Sequence, residues 1–189
     1  MSTIVYEFTA KLYLQGRALV LNEQRLRARK KFSRLTLGQR LDIEAHLADP
    51  AISTLVTLAD HDDDKALLLR FNPVGSEYII KVNAEGIYNG WHLNIDERTG
   101  ELYVAKDTAP DYFKLLHQDN DALVNLPIGA SIFYARLRSK RAGECLFLSK
   151  TLETPTFSAV DKAKGDYIHK NEITKFVVKI VQKAADGSA

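Results

Sequence analysis

The chain has 189 residues, 46% of them hydrophobic, with 26 Lys and Arg against 24 Asp and Glu and a formal net charge of +2. That is enough apolar material for one sizeable core, and too little positive charge for a chain whose whole surface binds nucleic acid. A single cysteine, Cys145, excludes an intrachain disulfide scaffold, and no apolar run is long enough for a membrane-spanning helix.

The N-terminal MSTIVYEFTAKLYLQ has no charged start leading into an apolar stretch and a small-residue cleavage site. The expected location is therefore cytoplasmic, or outside the cell after export without a classical signal peptide. Apolar alternation begins at Tyr6, Phe8 and Ala10, which predicts a strand, and resumes after Gly16 at Leu19 and Leu21. Leu26 and Ala28 alternate with Arg25, Arg27 and Arg29 and predict a third strand with its cations outward. Roughly residues 30 to 53 form a long insertion, in which Thr36 and Gln39 make a capping box. Leu37, Leu41, Ala45 and Ala48 follow at helical spacing and Pro50 ends the run, so a helix packed on the body is expected. Leu55 to Leu58 reads as a fourth strand, and His61 to Asp64 as a solvated connector.

The same order then recurs twice. A second set runs through Ile80, Val82 and Ala84, then Gly90 with Leu93 and Ile95, then Leu102 and Val104, then Phe113 to Leu116. A third runs through Phe133, Ala135 and Leu137, then Gly143 with Leu146 and Leu148, then Phe157 and Ala159, then Phe176, Val178 and Ile180. In the second set the middle strands join through Asp96 to Gly100, a hairpin loop in which glycine supplies the positive φ. The three Gly-led segments GRALVLNE, GWHLNIDE and GECLFLSK share Gly, then Leu three positions on and an aliphatic residue two beyond that. Residues 1–183 are thus expected to form one domain of three four-stranded units, and 184–189 (AADGSA) a disordered tail.

This arrangement resembles the β-trefoil, and the run Leu93 to Leu115 (LNIDERTGELYVAKDTAPDYFKL) is similar to the L-x-(V/I)-D-x-x-T-G-x-L pattern of trefoil units. The resemblance implies an all-β fold with pseudo-threefold symmetry, a six-stranded barrel capped by three hairpins, here with a short helix in a long loop of the first unit. It also implies recognition rather than catalysis, in a lectin-like or fascin-like branch. The Gln-x-Trp motif of the ricin-like branch is absent: the corresponding places read Thr54-Leu-Val56, Tyr112-Phe-Lys114 and Lys175-Phe-Val177.

Catalytic chemistry finds little support. Cys145 has no histidine near it in sequence, and His46, His61, His92, His117 and His169 are scattered without metal-ligand spacing. Asp119-Asn-Asp121 is too short for a calcium loop, and there is no phosphate-cradling Gly loop or nucleophile elbow. The chain is expected to be no enzyme and to need no cofactor or metal.

Two surface features point to binding. Trp91, the single tryptophan, occupies a place held by Arg17 and Glu144 in the other units and is expected near solvent. With His92, Asn94, Asp96 and Arg98 along the same hairpin it makes a flat apolar ring beside hydrogen-bonding groups, the equipment for holding a sugar. The alternative is that Trp91 folds down to plug the barrel rim. Separately, Arg25, Arg27, Arg29, Lys30 and Lys31, supplemented by Arg136, Arg138, Lys140 and Arg141, form a candidate anion contact for a polyanion. A solvated strand face that blocks edge pairing explains that run as well.

The first functional expectation is a glycan or glycoprotein recognition module, such as the targeting part of a toxin or defence protein. The alternative is a protein interaction module, such as a protease inhibitor or a cytoskeletal or receptor-binding trefoil, working through the loop of residues 30 to 53.

Overall fold

The computed structural model describes residues 6–61, 65–124, 130–149, 154–159 and 173–183. The expectations for Asp62 to Asp64, His169 and the 184–189 tail lie outside the described residues. The described chain holds twelve strands and three helices: β1 (Phe8–Leu14), β2 (Arg17–Leu21), α1 (Asn22–Lys30), α2 (Leu37–Ala48), α3 (Pro50–Ser53), β3 (Val56–Leu58), β4 (Leu68–Val74) and β5 (Glu77–Val82) come first. Then follow β6 (His92–Ile95), β7 (Leu102–Ala105), β8 (Phe113–Leu116), β9 (Ile132–Ser139), β10 (Phe147–Ser149), β11 (Thr156–Ser158) and β12 (Phe176–Lys183). No helix among the described residues is long and apolar enough to cross a membrane.

Six strands close into an antiparallel barrel, each hydrogen-bonded to the next in the circuit β1, β4, β5, β8, β9, β12 and back to β1. Closure removes the free edges that an open sheet of this length would leave to other chains. The remaining six strands pair as the hairpins β2 with β3, β6 with β7, and β10 with β11. Single bridges connect the hairpins in a ring: Leu55 to Tyr103, Glu101 to Ser158, and Thr57 to Thr156.

Alternation drives the barrel. Along β1 the side chains of Phe8, Ala10, Leu12 and Leu14 are all buried while Lys11 and Tyr13 reach the surface side. Phe8 stacks on Phe71 of β4 at 4.5 Å between ring centroids, and Phe157 meets Phe176 at 5.4 Å. Leu19, Leu93 and Leu146 all belong to this core. Gly16, Gly90 and Gly143 stand just ahead of the middle strands with φ of +79°, +79° and +72°, a region that a side chain would strain.

The structure corrects the first set of strands. Leu26 and Ala28 lie on helix α1, not on a strand, and the insertion falls between β2 and β3. Val56–Leu58 is the third strand, and the fourth is β4, in which Leu69 and Phe71 point inward. Period-2 alternation at 25 to 29 was misleading because Arg25 and Leu26, adjacent in sequence, are both buried. A helix end anchors the turn: Gln24 Oε1 accepts from Leu21 N at 2.9 Å, and Asn22 Nδ2 donates to Ile52 O at 3.2 Å.

Helix α2 has the predicted bounds and the predicted cap: Gln39 N donates to Thr36 Oγ1 at 3.2 Å, and Thr36 N donates to Gln39 Oε1 at 2.9 Å. Its orientation is not the predicted one. Ile43 is the residue that packs inward, at 8% exposure, whereas Leu37 and Leu41 of the apolar stripe are 74% and 57% exposed. Pro50 starts α3 instead of merely ending α2, with Asp49 Oδ1 accepting from Ala51 N at 2.9 Å.

Candidate functional site

The Asp96 to Gly100 turn forms as expected. Asp96 Oδ1 accepts from Arg98 N at 2.9 Å and from Thr99 N at 2.7 Å, and Gly100 N donates to Asp96 O at 2.7 Å. The backbone bond from Thr99 is the main cause that holds the Asp96 carboxyl below its ordinary range. This carboxylate therefore shapes its own turn.

The strand that follows Trp91 is buried on both faces, which corrects the expectation of an outward polar face. Asn94 is 0% exposed; its Nδ2 donates to Thr108 Oγ1 at 2.9 Å and to Ala109 O at 3.0 Å, while Oδ1 accepts from Ile95 N at 3.0 Å. His92 is buried too, and burial first, then the neighbouring Lys81 charge, pushes its pKa down. Its Nε2 has no hydrogen-bond partner among the described residues. The physical reason is the segment after β7, whose Thr108 and Ala109 lie over the outer face of β6 and shut out water. Alternation tells which residues share a face, and it does not tell whether a loop covers that face.

Trp91 is half-buried, packed against the core with its ring edge-to-face on Tyr88 at 4.9 Å. Of the five residues expected to hold a sugar, Arg98 alone is exposed.

The basic stretch is likewise drawn inward. Arg25, buried, donates from Nε to Asp60 Oδ1 at 2.8 Å, and Arg29 grips the same carboxylate with Nη2 at 3.0 Å and with Nε. Arg17 Nη2 stands 3.9 Å from it and donates from Nε to Ala59 O at 2.7 Å. Burial alone would raise the Asp60 carboxyl, but the bonds from Arg29 and Arg25 outweigh it and hold the pKa low. Burial also lowers the Arg25 pKa, opposed by Asp60.

Arg27 Nε pairs with Glu23 Oε1 at 2.6 Å and Lys30 Nζ with Glu44 Oε1 at 2.8 Å, leaving Lys31 exposed at the helix end. Cations in the last turn of α1 also complement the helix dipole. The solvated strand face expected here is thus a helix whose charges knit the insertion to the barrel.

The cations of the third set have similar duties. Arg136 pairs with Asp121 at 2.9 Å, Arg138 Nε donates to Gly143 O at 2.9 Å, Lys140 pairs with Glu77 at 3.0 Å and Arg141 Nη2 donates to Ala109 O at 3.0 Å.

Cys145 is buried, and burial raises its thiol pKa, the reverse of what a thiolate nucleophile needs. No three His, Cys, Asp or Glu side chains converge on a metal position among the described residues.

Neither a protein-family model, a curated protein nor a solved structure matches this chain. What distinguishes the molecule is therefore read from its own geometry. Outside the barrel and its hairpins stands the helical insertion, which carries exposed Phe32, Leu37 and Leu41 together. Sequence reading missed Asp60, which organises this region; the signal available was an acidic residue directly after the apolar run Leu55 to Ala59 and a cluster of arginines upstream.

Proposed function

We propose that the chain is a non-enzymatic recognition module of β-trefoil architecture, whose contact element is the helical insertion and whose partner is a protein. Strand order supports the trefoil reading: two barrel strands and one hairpin come from each consecutive set of four, and the hairpins are bridged in a ring. The matching positive φ at Gly16, Gly90 and Gly143 supports it further. Backbone chemical shifts and cross-strand NOEs in solution test it: the proposal requires contacts between β1 and β4 and between β5 and β8, and an open sheet would lack them.

One observation carries the interaction reading. The apolar stripe of α2 faces water on a helix that is capped at its start and ion-paired to α1, so Leu37 and Leu41 stand on its outer face instead of packing onto the barrel. An exposed apolar stripe on a rigid element is the usual mark of a protein contact. The test is affinity capture with the intact chain and with Leu37→Glu/Leu41→Glu. A partner captured by the parent and lost by the variant, with an unchanged melting curve, supports the reading. A partner retained by the variant, or the absence of any specific partner, removes it.

Carbohydrate recognition takes second place because His92 and Asn94 have their polar atoms inside. It retains the half-buried Trp91 against Tyr88 and the exposed Arg98. A glycan-array signal abolished by Trp91→Ala without loss of folding would restore it to first place.

A further inference from the structure

Helix α2 is turned the opposite way from an ordinary surface helix. Its apolar stripe meets water, and the face that looks back toward the body carries Gln39, Asp42 and His46, spaced about one turn apart along the axis. Between this face and the rest of the molecule lies an open cavity of about 480 Å³. Its size is within the range of about 300 to 1,000 Å³ typical of small-molecule sites.

The body of the cavity is apolar. Leu26 of α1, Phe32 and Leu35 of the link between the helices, and Ile43 of α2 line it, and Asp60 and His61 close one end. The rings of Phe32 and His61 meet edge-to-face at 5.4 Å and 69°, so together they make an aromatic corner against which a third flat ring can pack. Arg29 also borders the cavity, but its guanidinium is committed to Asp60 through two hydrogen bonds. Asp42 is different: among the described residues it has neither a hydrogen-bond nor an ion-pair partner. Among the described lining residues the one uncompensated ionic group is thus a carboxylate, which stands with Gln39 and His46 beside the apolar patch of Leu26, Phe32, Leu35 and Ile43.

From this arrangement we infer that the cavity binds a small organic cation, an aromatic body bearing a protonated amine. The ring packs between Phe32, Leu26 and Ile43 and the ammonium pairs with Asp42. An anionic ligand would meet the Asp42 charge with no free cation among the described lining residues to answer it. A neutral aromatic would fill the chamber and leave the carboxylate partly desolvated without a partner. The site uses the inward face of α2 and is independent of the outward stripe assigned to a protein partner.

Three indoles of one shape and different charge test the inference by amide chemical-shift titration of the intact chain: tryptamine, 3-methylindole and indole-3-acetate. Tryptamine is expected to saturate, with shifts centred on residues 26–46 and 60–61, and to bind more tightly than the other two. Asp42→Asn should weaken tryptamine by about fivefold and leave 3-methylindole unchanged, the size of effect that a solvent-accessible ion pair gives. Phe32→Ala, at a half-exposed position, should weaken all three while leaving the melting curve near that of the parent. The inference is overturned if none of the indoles shifts these amides at millimolar concentration, if indole-3-acetate binds best, or if Asp42→Asn leaves tryptamine binding intact.

Discussion

Arg25 and Asp60, 35 positions apart in the chain, meet at 2.8 Å, the buried guanidinium Nε of α1 donating to Oδ1 just beyond β3. Removing the carboxylate takes this bond from a buried guanidinium and releases Arg29 as well. Asp60→Ala is expected to lose about 3 kcal/mol of stability, the magnitude for breaking a buried pair from one side. Urea denaturation measures it, and a loss below about 1 kcal/mol would show that the arginines find water instead.

The same carboxylate sets an acid limit. Its folded pKa lies below the ordinary 3.8, so its contribution is complete above that value and disappears as pH falls through the lower, folded pKa. Stability measured between pH 5 and pH 2, bounds chosen to bracket that value, should fall less steeply in Asp60→Asn than in the parent chain.

His92 acts in a higher window. Burial keeps it neutral in the folded state, whereas the unfolded chain takes up its proton near the ordinary 6.5. The fold therefore gains stability above that pH and loses it as pH falls from 6.5 toward the lower folded pKa. A neutral replacement, His92→Gln, should flatten the stability profile in this interval; parallel profiles would mean that His92 protonates equally well in both states.

Two faces of α2 should respond oppositely to truncation. Leu37→Ser with Leu41→Ser is expected to change stability by no more than about 0.5 kcal/mol, as exposed positions do. Ile43→Ala should cost about 2 kcal/mol because its side chain is the one the helix buries. Equal losses from the two substitutions would mean that the helix packs the other way in solution.

Gly16, Gly90 and Gly143 each hold positive φ with open space where a Cβ would stand. Alanine at any of them meets backbone strain and no clash, and each substitution should cost about 1 kcal/mol. A thermal melt of the three single variants checks it, and one that melts like the parent would place that turn outside the shared conformation.

The sequence alone determined many of the local elements, though it read α1 as a strand and did not place β4. Alternating apolar residues and turn glycines placed most barrel strands, and Thr36 with Gln39 fixed the start of α2, because pattern and capping act over a few positions. Tertiary structure decided the rest. Whether Arg25 faced water depended on Asp60, 35 positions away. Whether Asn94 could meet a sugar depended on Thr108 and Ala109 lying over it, and which face of α2 turned outward depended on where the barrel offered Ile43 a seat. Burial is a property of what a residue packs against, and for these three the packing partners come from other parts of the chain, which local periodicity does not record.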